Sequence, residues 1–284
     1  MTEAEWLACA EPLPMIHHLR DRTGSREDYL FRVACRRRIW QLLADGRSRT
    51  AVEAAERFAE GRATEAELAE AHRHASAVCE ALTDVSRRAR GGYAANYAAM
   101  NAAVAAHWAS VTGMPDPVCP PAGYVAGACE DAVFYLHYLV EQLDRARDDL
   151  QVLTKHWQKA RRVRTPAMLR ERESQANLVR DVFGNPDRPR PTVPASVRAW
   201  KSRKIPRLAR AAVEERHLPD GTLDFALLVT LAGALEEAGC DDRELLGHLR
   251  GPGPHVRGCW AADLLRSSRL RTGGTAQRNR SRKP

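Results

Sequence analysis

The chain is predicted to be all-α, a multi-helix array or bundle with a smaller C-terminal helical unit. Three observations carry that prediction. Aromatic residues make up only 6% of the 284 positions, so Ala and Leu must fill most of the core, which suits closely packed helices. Helix-opening and helix-closing residues recur along most of the chain. Apolar residues repeat at steps of three and four, and the one run that could read as a buried strand, 225–235, has no visible partner strand and fits a helix better through Leu228, Leu231, Ala232 and Leu235.

The elements follow in order. Thr2 with Glu5, and Thr64 with Glu67, have the capping-box spacing, in which a side-chain oxygen takes one orphan amide and the glutamate returns to another. Between Ser25 and Asp45 the stripe Phe31, Cys35, Ile39, Leu42 marks a helix with Cys35 in the core and Arg36, Arg37 and Arg38 mostly on a solvated face. SRTAVEAAERFAEG is the next helix, ending at Gly61, and a long helix from Thr64 ends before Gly91-Gly92. From Tyr93 to Thr112 alanine dominates, which favours helix but contributes little packing per residue. After a proline-containing loop, 113–121, a helical run from Gly123 to Arg164 carries the stripe Val133, Leu136, Val140, Leu143, Leu150. Helices are then expected at Pro166–Phe183, Ile205–His217 and Asp224–Ala238, with Asp241 and Glu244 capping DDRELLGHLR. Pro254 is expected in the first turn of a last helix whose Val256, Trp260 and Leu264 share a face, with Gly258 allowing a close backbone approach.

Four prolines in GNPDRPRPTVP forbid regular structure and mark the best boundary in the chain. The expected organisation is therefore an N-terminal helical body, 1–183, with an alanine-rich middle; a proline-rich junction, 184–196; a C-terminal helical unit, 197–266; and a disordered basic tail, 267–284.

The net charge of +8 is unevenly placed. Residues 1–154 hold 17 Lys+Arg against 22 Asp+Glu, 155–210 hold 16 against 4, 211–265 hold 4 against 10, and 266–284 hold 7 against none. Two mildly acidic stretches thus flank a basic band, with a basic tail behind. The seven cysteines form no CxxC pair and mostly lie inside apolar patterns, which suits a reducing compartment. The start, MTEAEWLACAEPLP, lacks the basic, apolar layout of a signal peptide, and no run reaches the roughly 20 apolar residues of a membrane span. A cytoplasmic protein with no membrane partner is expected.

The succession MTEAEWLA, VACRRRIWQLL, VEAAERFAEG, LVRDVFGNPDRP and LAGALEEAGCDDRELLGHLRGPGPHVRGCWAADLL resembles a bacterial family abundant in planctomycetes and found alongside repeat-companion domains. The resemblance covers about residues 1–62 and 178–265 and implies a helical fold. It carries no catalytic residue, because no activity is established for that family. Leu249 stands where relatives often have cysteine, and the basic tail is a further departure.

Each candidate site also has a structural role open to it. Cys240, His248, His255 and Cys259 supply zinc-type ligands, but with seven, six and three intervening residues, unlike the paired spacing of a zinc finger. They are therefore read as structural, and no metal, cofactor or catalytic residue is predicted. His255 and Arg257 are candidates for an anion or an acidic partner. His255→Ala is expected to leave folding nearly intact, whereas Trp260→Ala should cost roughly 3–5 kcal/mol. Glu130, His137 and Glu141 lie at helical spacing and read as a solvated face. Motifs for metalloprotease, P-loop, nucleophile-elbow or dinucleotide chemistry are missing.

In the basic band, Trp157 and Trp200 sit among Lys and Arg, a mix that single-stranded nucleic acid uses, which makes Arg161, Arg162, Arg164, Lys201, Arg203 and Lys204 candidate nucleic-acid contacts. The favoured expectation is a protein-interaction or scaffold protein without catalysis. The alternatives are a nucleic-acid-associated protein using 155–210 and the tail, and a zinc or hydrolase site near His255 and Cys259. The sequence does not specify oligomeric state.

Overall fold

The computed structural model describes residues 1–22, 24–88, 103, 129, 131, 132 and 166–266, and these are mostly helical, with no strand beyond a single bridge between Thr222 and Val256. The all-α fold is what the sequence predicts. The helices are α1 (Glu3–Ala8), α2 (Pro12–His18), α3 (Arg26–Arg38), α4 (Gly46–Ala59), α5 (Glu65–Arg88), α6 (Pro166–Phe183), α7 (Ala195–Glu214), α8 (Phe225–Glu237), α9 (Arg243–Arg250) and α10 (Trp260–Arg266). The readings of the alanine-rich stretch, the 123–164 run, Glu130, His137, Glu141, Trp157, Arg161, Arg162, Arg164 and the 267–284 tail lie largely or wholly outside the described residues.

Local chemistry sets the helix starts. The Thr2 box closes in both directions, Glu5 N to Thr2 Oγ1 at 3.3 Å and Thr2 N to Glu5 Oε2 at 2.8 Å, and Thr64 with Glu67 repeats it at 3.2 and 2.7 Å. Ser25, Asp45 and Asp224 cap α3, α4 and α8 through side-chain oxygens. For α9 the capping residue is Asp242, one position after the expected Asp241, and it accepts the Leu245 amide at 2.8 Å. α8 ends in a left-handed Gly239, after which the Cys240 amide returns to the Leu235 carbonyl at 2.9 Å.

α7 is broken at Trp200–Arg203, where Lys201, Ser202 and Arg203 all adopt positive φ. Regular helix resumes near Lys204. Pro206 then sits in the first turn of this second segment, where its missing amide leaves no helical bond unmade.

Two apolar clusters form. The first gathers Trp6, Met15, Phe31, Cys35, Leu43, Val52, Leu68, Val179 and Phe183 from α1 to α6, and Val256 joins it from far along the chain. The second gathers Val197, Ile205, Leu228, Leu231, Leu235, Leu245, Leu249, Cys259, Trp260 and Leu265 from α7 to α10. Fully burying a side chain such as Leu228 contributes roughly 1.5–3 kcal/mol, so the Leu stripe of α8 accounts for its helical choice better than its local propensity does.

Two expectations need correction. Arg36 and Arg37 are buried, because α3 is packed on several sides by α4 and α6 and leaves only Arg38 of the triplet outward. Arg37 reaches Glu56 at 2.5 Å and the Pro219 carbonyl at 3.0 Å, and burial pulls Arg36 down to about 9. Pro254 does not open the last helix, which starts at Trp260. Residues 254–256 are non-helical up to the Val256 bridge and a turn follows at 257–258, since the Val256 amide is taken by Asp181 and the His255 carbonyl accepts Leu223 N at 2.8 Å. Val256 and Trp260 therefore serve different clusters and share no helical face.

An arginine–carboxylate seam joins the two ends of the chain. Glu56 meets Arg37, Arg216 and Arg257, while Glu60 meets Arg26, Arg257 and Arg266. Asp263 on α10 completes the set with Arg26 and Arg266. These pairs, from buried Arg37–Glu56 to partly exposed Arg266–Asp263, link α3 and α4 to the C-terminal segments.

Candidate metal centre

Four side chains converge where α6 meets the C-terminal loop. α6 supplies Asp181, α9 supplies His248, the loop between α9 and α10 supplies His255, and Cys259 stands immediately before α10. One donor atom from each lies within 4.8 Å of every other. His255 Nδ1 and His248 Nε2 are 2.8 and 3.1 Å from Asp181 Oδ1, and Cys259 Sγ is 3.3 Å from His248 Nε2 and 4.0 Å from His255 Nδ1.

The arrangement of ring nitrogens decides what these groups can do together. In a cysteine–histidine–carboxylate relay one imidazole nitrogen faces the thiol and the other faces the acid. Here each ring uses a single nitrogen for both neighbours, Nε2 for His248 and Nδ1 for His255. Each imidazole therefore presents one nitrogen to both the carboxylate and the thiol, an arrangement that suits ligands around a metal better than a relay. Tetrahedral donors at zinc bond lengths stand about 3.3–3.8 Å apart; four of the six donor pairs here lie at 2.8–4.0 Å, and all six lie within 4.8 Å.

The surroundings hold three of the donors in place. Asp181 is 2% exposed, and its second oxygen, Oδ2, accepts the Val256 amide at 2.9 Å. His255 donates through Nε2 to the Gly251 carbonyl at 3.2 Å, which leaves Nδ1 as the donor to the centre. Cys259 is fully buried, and the Ala261 and Ala262 amides act in favour of its thiolate. His248 has no such outer bond among the described residues; its ring lies 4.9 Å from both His255 and Trp260.

Charge follows from this enclosure. Burial alone would raise the Asp181 carboxyl, but the hydrogen bonds and charges of His248 and His255 outweigh it and hold the group below its ordinary value. Burial pushes His255 down, and Asp181 together with the Gly251 carbonyl more than restores it, so the net shift is upward. Burial first, and then Asp181, drive the Cys259 thiol well up, so a cation at the centre is what would favour its thiolate.

The structure thus brings three of the four sequence-weighed ligands together and leaves Cys240 out, at the rim of the second cluster. Asp181 takes its place, a residue the sequence reading passed over. The signal was a lone carboxylate inside LVRDVF, three residues after buried Leu178 and next to buried Val182.

The other candidate residues divide. His255 and Arg257 bind acids of this same chain, Asp181 for the first and Glu56 with Glu60 for the second, rather than standing open to an external anion. Lys201 and Arg203 are exposed and Lys204 is half-buried. Lys201 pairs with Glu237 at 3.1 Å and lies 4.2 Å from the centre of the Trp200 ring, with Lys204 at 5.8 Å, so the indole is stacked by its own neighbours. Among the described residues no helix is long and apolar enough to cross a membrane. No protein-family model, curated protein or solved structure matches the chain.

Proposed function

We propose that this chain is a zinc-clamped helical scaffold: Asp181, His248, His255 and Cys259 hold one zinc ion, which fastens α6 to the loop and helices that follow the proline-rich stretch. The observation that carries the reading is the convergence of four donor atoms, with both imidazoles aimed by a single nitrogen. Four protein ligands fill a tetrahedral zinc and leave no position for a substrate water, which supports a structural rather than a hydrolytic role. The ligands come from the first apolar cluster's helix α6 and from segments bordering the second, so the ion ties together parts distant in sequence. A cysteine ligand suits a reducing compartment and agrees with a cytoplasmic protein that binds other proteins. The nucleic-acid reading has weaker support, since the Trp200 ring is already stacked by lysine.

Metal analysis of the purified chain tests this. About one zinc per chain is expected, retained through dialysis and lost in Cys259→Ser and His255→Ala. Wild-type protein that takes up no zinc after incubation with excess ion and dialysis would overturn the reading.

A further inference from the structure

The four donors are unequal in how they are held, and the difference points to one of them as mobile. Asp181 is fixed through its second oxygen by the Val256 amide, His255 through its second nitrogen by the Gly251 carbonyl, and Cys259 by full burial before α10. His248 has none of these restraints. Its only hydrogen-bond contacts among the described residues run through Nε2 toward the centre itself, and its side chain is 18% exposed, against 3% for Asp181 and 6% for His255. It rides on α9, a helix of eight residues that is packed mainly on α8.

Outer partners normally lock a ligating imidazole in orientation, so a ligand without one is the cheapest to release. Releasing it leaves Asp181, His255 and Cys259 on the ion with a fourth position facing solvent, the three-ligand arrangement of an open zinc site. Resting on the zinc reading above, we infer that His248 is the exchange ligand: the ion enters and leaves on the α9 side, and a monodentate donor of the imidazole class takes the vacated position. A histidine offered by a binding partner has the same chemistry as free imidazole, so the clamp doubles as a docking point for such a side chain.

Cobalt-loaded protein provides the test, because its visible bands report each ligand. His248→Ala, and His248→Gln as a second variant of similar polarity, are expected to keep about one metal per chain, to release zinc to a chelator at least about tenfold faster than wild type, and to change their cobalt bands when free imidazole is added. His255→Ala is expected to lose the ion under the same conditions. Loss of metal from the His248 variants equal to that from His255→Ala overturns the inference, as does a cobalt spectrum that imidazole leaves unchanged. A ring-resonance measurement on zinc-loaded wild type needs no substitution: exchange broadening confined to His248 supports the inference, and equal broadening at His248 and His255 overturns it. Absence of metal from the wild type would instead sink the zinc reading itself.

Discussion

Asp181 accepts the backbone amide of Val256 at 2.9 Å, across 75 positions of sequence, and so fixes the start of the loop that carries His255 and Cys259. One carboxylate thereby serves two purposes, since Oδ2 holds the loop while Oδ1 faces the imidazoles. The two can be separated by substitution. In the presence of a chelator, Asp181→Asn keeps a carbonyl that can accept from Val256, whereas Asp181→Ala leaves a buried amide unpaired. Asp181→Ala should be less stable than Asp181→Asn by about 1–3 kcal/mol in denaturant unfolding, while both should lose zinc alike. Equal stability of the two variants would show that the amide contact contributes nothing.

The same enclosure revises the expectation for His255. A side chain 6% exposed, bonded to Asp181 and to the Gly251 carbonyl, does not leave without cost. His255→Ala should lose about 2–3 kcal/mol even without metal, because Asp181 Oδ1 keeps only His248 and the Gly251 carbonyl loses its donor. Trp260→Ala should still cost roughly 3–5 kcal/mol, since the indole fills the second cluster beside His248 and under Arg190. Urea unfolding of both variants in chelator checks the order. A His255→Ala variant as stable as wild type would mean that the Asp181 oxygen finds water once the ring is gone.

What was legible in the sequence was local. Caps at Thr2 and Thr64 are read from three or four neighbouring residues, and α6 has the expected bounds because Pro166 and the GNPDRP run flank it. What was hidden depends on contacts between distant segments. Arg36 looked solvated because an apolar stripe does not reveal how many sides of a helix are covered. Pro254 looked like a helix start because Asp181, 73 positions earlier, and Leu223 were not known to claim the backbone around it. The metal ligands were three-quarters visible as residue types. Their spacing misled because the fourth ligand lies on α6, and Cys240, nearer in sequence, is drawn into the turn that ends α8.

Glu60 sets an acid limit on the seam. Burial would raise its carboxyl, but Arg26, Arg266 and Arg257 outweigh burial and hold it below its ordinary 4.5. A folded-state value below the unfolded one means that the group's contribution is full above 4.5 and is lost as pH falls through the folded value. Glu60→Gln should therefore be less stable than wild type at neutral pH, and the gap should narrow as the pH falls below 4.5. Thermal unfolding of both proteins across that range is the check. A gap independent of pH would assign the loss to packing rather than charge.

Gly258 is the position where the loop before Cys259 touches α3, and two independent constraints act on it. Its φ of +99° lies in a region that L side chains avoid, and a Cβ added there would meet Leu30 at 2.9 Å from Cδ1 and 3.0 Å from Cβ. Swinging the Leu30 δ-methyl aside relieves the first contact, but its Cβ is fixed by the helix and cannot move without α3. Gly258→Ala should then cost about 2–3 kcal/mol, the sum of backbone strain and overpacking. Trimming the neighbour in Leu30→Ala removes the Cδ1 and Cγ contacts but keeps the Cβ at 3.0 Å and the backbone strain, so the double variant should recover some of the loss attributable to Gly258 and not all of it. Because Cys259 follows directly, Gly258→Ala should also weaken zinc retention although it touches no ligand. Full additivity of the two substitutions, with zinc held as in wild type, would show that the loop has room to move and that Leu30 does not set the position of the thiol.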